Sequence, residues 1–223
     1  MSDSNDGSRA ASLLQRLMRD AATLGVALTE KDAVRLCTLL DELTRWNRTY
    51  NLTAIRNPEE MLTHHLLDSL AIHADLVGEH IADVGTGAGF PGLPLALVQP
   101  ARRFTLIDSN GRKIRFVAHA ARLLGLANVE ALQARVEALA PARPFDTVMA
   151  RAFAPLPQLL QKVAPITGPA TRVLAMKGKR PDQEMAALPH GWRLVAARPL
   201  SVPGLSESRC LITLEQDAIV SGG

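Results

Sequence analysis

The most constraining feature of this sequence is a glycine-rich segment, DVGTGAGFPG, at residues 83–92. Four of its last eight residues are glycine, so the backbone can turn sharply there and approach a ligand closely. An apolar run at 81–85 leads into the glycines, and a helix-like apolar stretch at 93–98 follows them. A strand, a glycine loop and a helix in this order are typical of an open α/β sheet, which binds its ligand at the N-terminus of the helix.

The pattern after residue 80 predicts such a sheet. Short apolar runs alternate with helical stretches, which indicates parallel strands with helices on both faces. The last two runs have no helix between them and predict a β-hairpin. We therefore expect a doubly wound α/β domain whose seven strands are mostly parallel and are closed by that hairpin. The predicted strands are 81–85, 103–108, 129–133, 145–152, 171–178, 192–200 and 209–216.

The sequence before residue 79 predicts only helices. Apolar residues recur there at helical spacing, and Gly25 ends the first helix. Thr29 is the expected N-cap of the second helix, and Asn57 that of a third helix that runs to about Leu76. The polar-aromatic segment 46–53 is predicted as a break between them. We divide the chain into a disordered lead at 1–8, a helical N-terminal cap at 9–78, a main domain at 79–217 and a fraying end at 218–223.

Composition excludes several classes of protein. Hydrophobic residues make up 47% of the chain and charged residues 21%, which is typical of a globular protein. Apolar runs fall far short of a membrane span, and we expect no secretory signal. Cys37 and Cys210 have neither disulfide-framework nor zinc spacing, so we expect a cytoplasmic protein. His64 and Asp68 are one helical turn apart but have no evident third ligand, so we expect no metal.

The glycine loop leaves two cofactors open. GAGFPG at 87–92 matches the G-x-G-x-x-G pattern of dinucleotide-binding proteins, which favours an NAD-dependent oxidoreductase. Asp83 would repel a pyrophosphate, and Pro91 and Pro94 remove N–H donors that a pyrophosphate would need. S-adenosylmethionine has no phosphate and carries positive charge, so it fits better. Asp108, at the end of the second strand, suits the ribose of either cofactor.

A set of motifs in fixed order resembles the bacterial RsmG family, also called glucose-inhibited division protein B. The motifs are WNRTYNLTAI, HHLLDSLA, DVGTGAGFPGLPLA, FTLIDSNGRKIRFV, RVE at 135–137, ARAFAPL at 150–156 and LAMKG at 174–178. The resemblance extends from about Leu13 to Glu215. It implies a Rossmann-like class I methyltransferase that uses S-adenosylmethionine to methylate N7 of a guanine in the 530 loop of 16S ribosomal RNA. Ala88 and Phe90 stand where members often carry Pro and Leu.

The resemblance and the loop together predict the site residues. The resemblance implies that Arg151, at the end of the fourth strand, touches the cofactor, and we expect it to position the reactants. A salt bridge to Asp83 or Glu137 is the structural alternative. The predicted cofactor-binding residues are Asp83, Gly85, Gly87, Gly89, Phe90, Asp108, Val136, Glu137 and Arg151.

The expected partner is 16S rRNA or the small ribosomal subunit, bound by a monomer. Lys177, Arg180 and Arg209 follow or precede strands at the same edge of the sheet and are the predicted RNA contacts. Both cysteines are expected away from that edge, which disfavours a cysteine nucleophile. Guanine N7 exposes a lone pair and needs no general base. A non-catalytic RNA-binding protein with a degenerate Rossmann-like domain is a further alternative.

Overall fold

The computed structural model describes residues 3–217, and within them a seven-stranded sheet is the framework of the protein. The strand order is β3-β2-β1-β4-β5-β7-β6. The first five strands are parallel, whereas β7 is antiparallel to both β5 and β6, which confirms the predicted closing hairpin. The strands are β1 (His80–Val84), β2 (Arg103–Asp108), β3 (Val129–Gln133), β4 (Thr147–Arg151), β5 (Arg172–Lys177), β6 (Trp192–Pro199) and β7 (Cys210–Gln216).

Helices precede the sheet and connect its strands. They are α1 (Asp3–Thr23), α2 (Glu30–Tyr50), α3 (Pro58–Met61), α4 (Asp68–Leu70), α5 (Gly92–Val98), α6 (Gly111–Leu123), α7 (Leu156–Val163) and α8 (Asp182–Ala186). Short 3-10 turns lie at His73–Asp75, Val136–Ala138 and Ala164–Ile166. None of the helices in the described part of the chain is long and apolar enough to cross a membrane.

Side chains alternate between the two faces of the sheet, so the sheet separates two apolar cores. On one face, Ile81 and Leu106 pack with α1, α2, α5 and α6 around the buried rings of Phe104 and Phe116. On the other face, Ala82 and Val84 pack against α7. A doubly wound sheet is what strict alternation of strands and helices predicts. Most helical contacts of the cap belong to the first core, so the cap continues the main domain's core.

One expectation about the N-terminal cap is wrong. Residues 46–53 were expected to break the helix, but α2 continues to Tyr50 because its buried face extends through Leu43 to Asn47. Asn51 then ends it in the left-handed conformation, with φ of 49°. The helix α1 begins at Asp3, inside the predicted lead at 1–8, whose disorder stays a prediction. Residues 1–2 and the predicted fraying end lie outside the described residues.

The third helix begins where predicted but is not a regular α-helix. The Asn57 side chain accepts a hydrogen bond from the Glu59 N–H, and Pro58 occupies the first turn. Residues Leu62–Leu67 then form a π-helical turn before α4. A π turn inserts an extra residue per turn and shifts the side chains that follow it, often at functional sites. Asp68 follows directly, and its side chain is almost completely buried.

Asn47 provides a test of how α2 is tied to the segment after it. Its buried amide donates to the carbonyl of Thr53 and accepts from the Thr53 N–H, each at 2.9 Å. We expect Asn47→Ala to lower the free energy of unfolding by about 2–3 kcal/mol, because two backbone groups lose their partners. Thr49→Ala, at an exposed position of the same helix, should change it by less than about 0.5 kcal/mol. Denaturant titration measures the free energy of unfolding of both variants. Equal changes would show that the Asn47 amide does not stabilise the segment after α2.

Candidate functional site

Two cavities lie side by side at the carboxyl edge of the parallel strands. The first cavity has a volume of about 250 Å³ and lies against the loops that follow β1, β2 and β4. The second cavity, of about 390 Å³, lies between the π-helical turn and the ends of β4 and β5. Ala152 lines both cavities and therefore marks the place where they meet. Its φ of +52° is unusual for a residue other than glycine, and such strain is concentrated at functional sites.

Asp83 lies beneath the glycine loop and lines neither cavity. Its Oδ2 accepts hydrogen bonds from the Thr86 hydroxyl at 2.6 Å and from the Gly92 N–H at 2.9 Å. Its other oxygen, Oδ1, is buried and has no partner among the described residues. Complete burial raises the pKa of Asp83 from 3.8 to about 6. Asp83 therefore fixes the loop from below, and its contact with a cofactor stays a prediction.

The glycines of the loop differ in the space around them. A Cβ on Gly87 would meet nothing closer than the Gly85 carbonyl at 4.0 Å, so space is open above this residue. A Cβ on Gly89 would lie 2.4 Å from the Leu93 side chain, and one on Gly85 would lie 2.4 Å from the Phe153 ring. Of these three glycines, Gly87 has open space around it, whereas Gly85, which lines the first cavity, and Gly89 permit close packing.

Asp108 faces the first cavity, as expected of a residue that binds hydroxyl groups. Its Oδ2 accepts from the Gly87 N–H at 3.0 Å, and its Oδ1 accepts from the Asn110 N–H at 2.8 Å. Each carboxylate oxygen keeps a further lone pair. The backbone therefore holds the carboxylate in place and leaves acceptor capacity directed at the cavity.

Val136 and Glu137 line the same cavity from a 3-10 turn after β3. Val136 is buried, whereas Glu137 is exposed and forms an ion pair with Lys162 of α7. The hydrogen bond from Lys162 lowers the pKa of Glu137, so this carboxylate is ionised at neutral pH. The first cavity therefore combines an apolar contact with two carboxylates and with the cationic side chains of Lys113, Arg135 and Lys162.

Arg151 projects into the second cavity and pairs with a residue that the sequence did not suggest. Its Nη1 donates to Asp68 Oδ2 at 3.1 Å and to the His64 carbonyl at 2.8 Å. Neither Asp83 nor Glu137, the two expected partners, forms an ion pair with it. Arg209 Nε lies 3.3 Å from Asp68 Oδ1 without the alignment of a hydrogen bond. One buried carboxylate thus holds two arginines beside the cavity.

His65 and Phe90 form the floor between the glycine loop and the second cavity. Their rings stack at a centroid distance of 4.7 Å. His65 Nε2 is 3.0 Å from the Thr53 hydroxyl, and burial lowers the pKa of His65 to about 3, so its ring is uncharged at neutral pH. Phe90 is buried beneath the cavities and supports them. Sequence reasoning assigned no cofactor or substrate role to His65 or Asp68, although both lie in the motif HHLLDSLA that the family resemblance includes.

The predicted RNA contacts separate into two groups. Lys177 and Arg209 line the second cavity, and Lys177 Nζ donates to the Ala154 carbonyl and to Glu184. Arg180 lies in neither cavity and pairs with Asp182 at the exposed surface. Across the residues that the structure describes, no three His, Cys, Asp or Glu side chains gather as a metal site requires.

Comparison with known sequences gives a consistent result. A family model described as rRNA small subunit methyltransferase G matches residues 32–213. A protein named ribosomal RNA small subunit methyltransferase G from Pseudomonas paraeruginosa is 46% identical over 91% of this chain and 95% of its own length. Its namesake from Alkalilimnicola ehrlichii is also 46% identical, over 93% and 94%.

Solved structures share the fold. TrmN from Thermus thermophilus matches with a TM-score of 0.55 and 21% identity, over 70% of this chain and 53% of that one. The glycopeptide N-methyltransferase MtfA, solved with S-adenosyl-L-homocysteine, matches with a TM-score of 0.59 and 11% identity, over 69% and 87%. At these identities the likeness shows the Rossmann-like methyltransferase fold alone.

Asp83→Asn tests the buried carboxylate. The native chain holds the Asp83 proton up to about pH 6, whereas an unfolded aspartate releases it near pH 4. The stability present below pH 4 is therefore lost as pH rises through 6. We expect Asp83→Asn to be free of this loss, so that its free energy of unfolding gains about 1–3 kcal/mol on that of the wild type between pH 4 and pH 7.5, whatever constant cost its amide N–H groups bring at the unpartnered Oδ1 position. Denaturant titrations of both proteins across this pH range measure the difference. A difference that did not depend on pH would refute the raised pKa of Asp83.

Proposed function

Since this chain belongs to the rRNA small subunit methyltransferase G family, we propose that it transfers a methyl group from S-adenosylmethionine to N7 of a guanine in the 530 loop of 16S rRNA. The match of the family model to residues 32–213 carries the proposal. It covers both the main domain and most of the N-terminal cap, so the whole two-cavity site belongs to the family's shared region.

The residues at the first cavity fit S-adenosylmethionine. Asp108 lines this cavity and offers acceptor oxygens for ribose hydroxyls. Gly87, whose N–H binds Asp108, does not line the cavity but has open space that admits a ligand close to the backbone. The unpartnered Oδ1 of Asp83 supplies negative charge beneath the loop for a cationic ligand. When bound, S-adenosylmethionine supplies an electrophilic methyl group that the N7 lone pair takes while the carbon–sulfur electron pair returns to sulfur.

The chain's own residues need only to align the reactants. No proton leaves guanine N7 on methylation, so no general base is required, and alignment can contribute about 7–11 kcal/mol in well-oriented systems. Arg151 stands at the meeting point of the cavities, next to Ala152, where it can orient an acceptor. We assign it a positioning role, because its guanidinium carries only hydrogen-bond donors and Asp68 fixes its orientation.

A cysteine mechanism has no support, although one expectation about the cysteines is wrong. Cys210 was expected away from the carboxyl edge, but it opens β7 and pairs in register with Lys177 at that edge. Antiparallel pairing reverses the strand and brings its first residue there. Cys210 is buried and lines neither cavity, and burial raises the pKa of its thiol, so it remains protonated.

The proposal also includes the RNA contacts, the oligomeric state and the cellular compartment of the protein. We expect Lys177, Arg180 and Arg209 to contact RNA phosphates, because all three lie near the carboxyl edge. We also expect the protein to act as a monomer in the cytoplasm, without a metal. Both cysteines are free, which agrees with a reducing compartment.

Methyl transfer from labelled S-adenosylmethionine tests the function directly. The acceptors are naked 16S rRNA and small subunits, both from cells that lack this protein. We expect label in 7-methylguanosine at one position. Label in another nucleoside would contradict the N7 assignment, and no label with cofactor binding intact would contradict the proposed substrate. The better of the two acceptors identifies the stage of subunit assembly at which the enzyme acts.

Gly87→Val tests the cofactor site. Its side chain would fill the open approach, and we expect affinity for S-adenosylmethionine to fall at least about tenfold in calorimetric titration. Gly191→Val is the matched control, because Gly191 also has a positive φ and free space around it but lies far along the chain before β6. The control should lose similar stability and keep its affinity. Equal affinities in the two variants would refute the placement of the cofactor.

A further inference from the structure

The second cavity has the chemistry of a site for a nucleobase. The apolar side chains of Ile55 and Met176 form part of its wall, and cationic side chains lie at its rim. Apolar walls with a few convergent polar groups are typical of small-ligand sites. A purine has two apolar faces and a polar edge, and its ring system fits comfortably within about 390 Å³.

The position of this cavity suits an acceptor. It meets the first cavity at Ala152, so a base inside it would lie next to a ligand that extends across Ala152 from the loop side. Enzymes that modify a base inside folded nucleic acid extrude that base into a pocket beside the reactive group. The two adjoining cavities provide this arrangement.

The cations around the cavity favour guanine over adenine. Arg151, Lys177 and Arg209 carry only hydrogen-bond donors, and the carboxylate acceptor of Asp68, which also lines the cavity, is engaged by Arg151. The edge of guanine that bears N7 presents a second acceptor, O6, whereas the same edge of adenine presents an amino donor. A donor beside the methylated position therefore pairs with guanine and repels adenine.

Arg151 is the donor best prepared for this contact. Within the described part of the chain, only its Nη1 makes hydrogen bonds, so Nε and Nη2 keep their N–H groups for a ligand. Asp68, with a side chain 3% exposed, fixes the orientation of the guanidinium. The same carboxylate also offsets the charge of Arg209 nearby.

We propose that the second cavity binds the acceptor guanine, that Arg151 donates to its O6, and that Asp68 is the positioning residue for Arg151. This rests on the proposed function, because it assumes an RNA guanine as acceptor. Methylation at N7 gives the base a positive charge next to two guanidinium groups, and Asp68 reduces their repulsion. We therefore expect the negative charge of Asp68 to affect kcat more than the affinity for the acceptor.

The test of guanine recognition compares two substrates with three proteins: wild type, one test variant and one control variant. Small subunits are reconstituted with 16S rRNA that carries guanine or 2-aminopurine, which lacks O6, at the acceptor position. We expect wild type to prefer guanine about ten- to a hundredfold in kcat/KM. Arg151→Met should bring this ratio close to one, whereas Arg193→Met, on the edge strand β6, should keep it.

The outcomes separate the inference from the proposed function. A wild-type ratio near one, or an unchanged ratio in Arg151→Met, would overturn the inference. The proposed function would still stand if wild type made 7-methylguanosine on the guanine subunits. Loss of that product in wild type would refute the proposed function itself.

Asp68→Asn tests the positioning role. We expect kcat to fall about tenfold or more, while KM for subunits and affinity for S-adenosylmethionine change less than about threefold. The preference for guanine should shrink as well, which a purely structural role would not cause. If Asp68→Asn kept the kcat and the guanine preference of the wild type, the positioning role of Asp68 would be overturned. If this variant fails to fold, Arg151→Lys keeps the charge without the planar fork, and its preference for guanine should also shrink.

Discussion

Burial of one carboxylate beneath the glycine loop holds the site together. Asp83 accepts hydrogen bonds from the Thr86 hydroxyl and the Gly92 N–H, which lie at opposite ends of the loop. A Cβ on Gly92 would lie 2.8 Å from Asp83 Oδ2, so glycine is required for this contact. The loop is therefore closed around a fixed point. Burial raises the pKa of this carboxyl to about 6. Above that pH the ionised carboxylate lowers the stability of the fold and places a negative charge under the ligand site.

A second carboxylate joins the N-terminal cap to the sheet. Asp68 follows the π-helical turn and binds Arg151 at the end of β4, while Arg209 precedes β7. The cap thereby supplies one wall of the second cavity through Ile55, His65 and Asp68. The boundary predicted at residue 79 separates two parts of the chain, but the second cavity includes residues from both.

Local sequence patterns predicted most of the fold. The strands of the sheet and the closing hairpin lie close to their predicted positions, because each is a short apolar run with clear limits. The predicted break at 46–53 failed because burial along α2 outweighs the polar character of its last turn. The π-helical turn has no local pattern of its own, since it depends on packing of the cap against the sheet. Family membership decided the choice of cofactor that the G-x-G-x-x-G match left open.

For the site, the sequence by itself determined which residues end parallel strands, since strand direction follows from alternation with helices. That placed Asp108, Arg151 and Lys177 at one edge of the sheet. The tertiary structure divides this edge into two cavities and puts Arg151, which was expected to touch the cofactor, at the second. Only the tertiary structure decided that Asp83 lies under the loop, that Asp68 pairs with Arg151 across 83 residues, and that Cys210 reaches the carboxyl edge. The physical reason is that ion pairs and burial depend on distances between elements far apart in sequence, whereas periodicity records only the environment of each element.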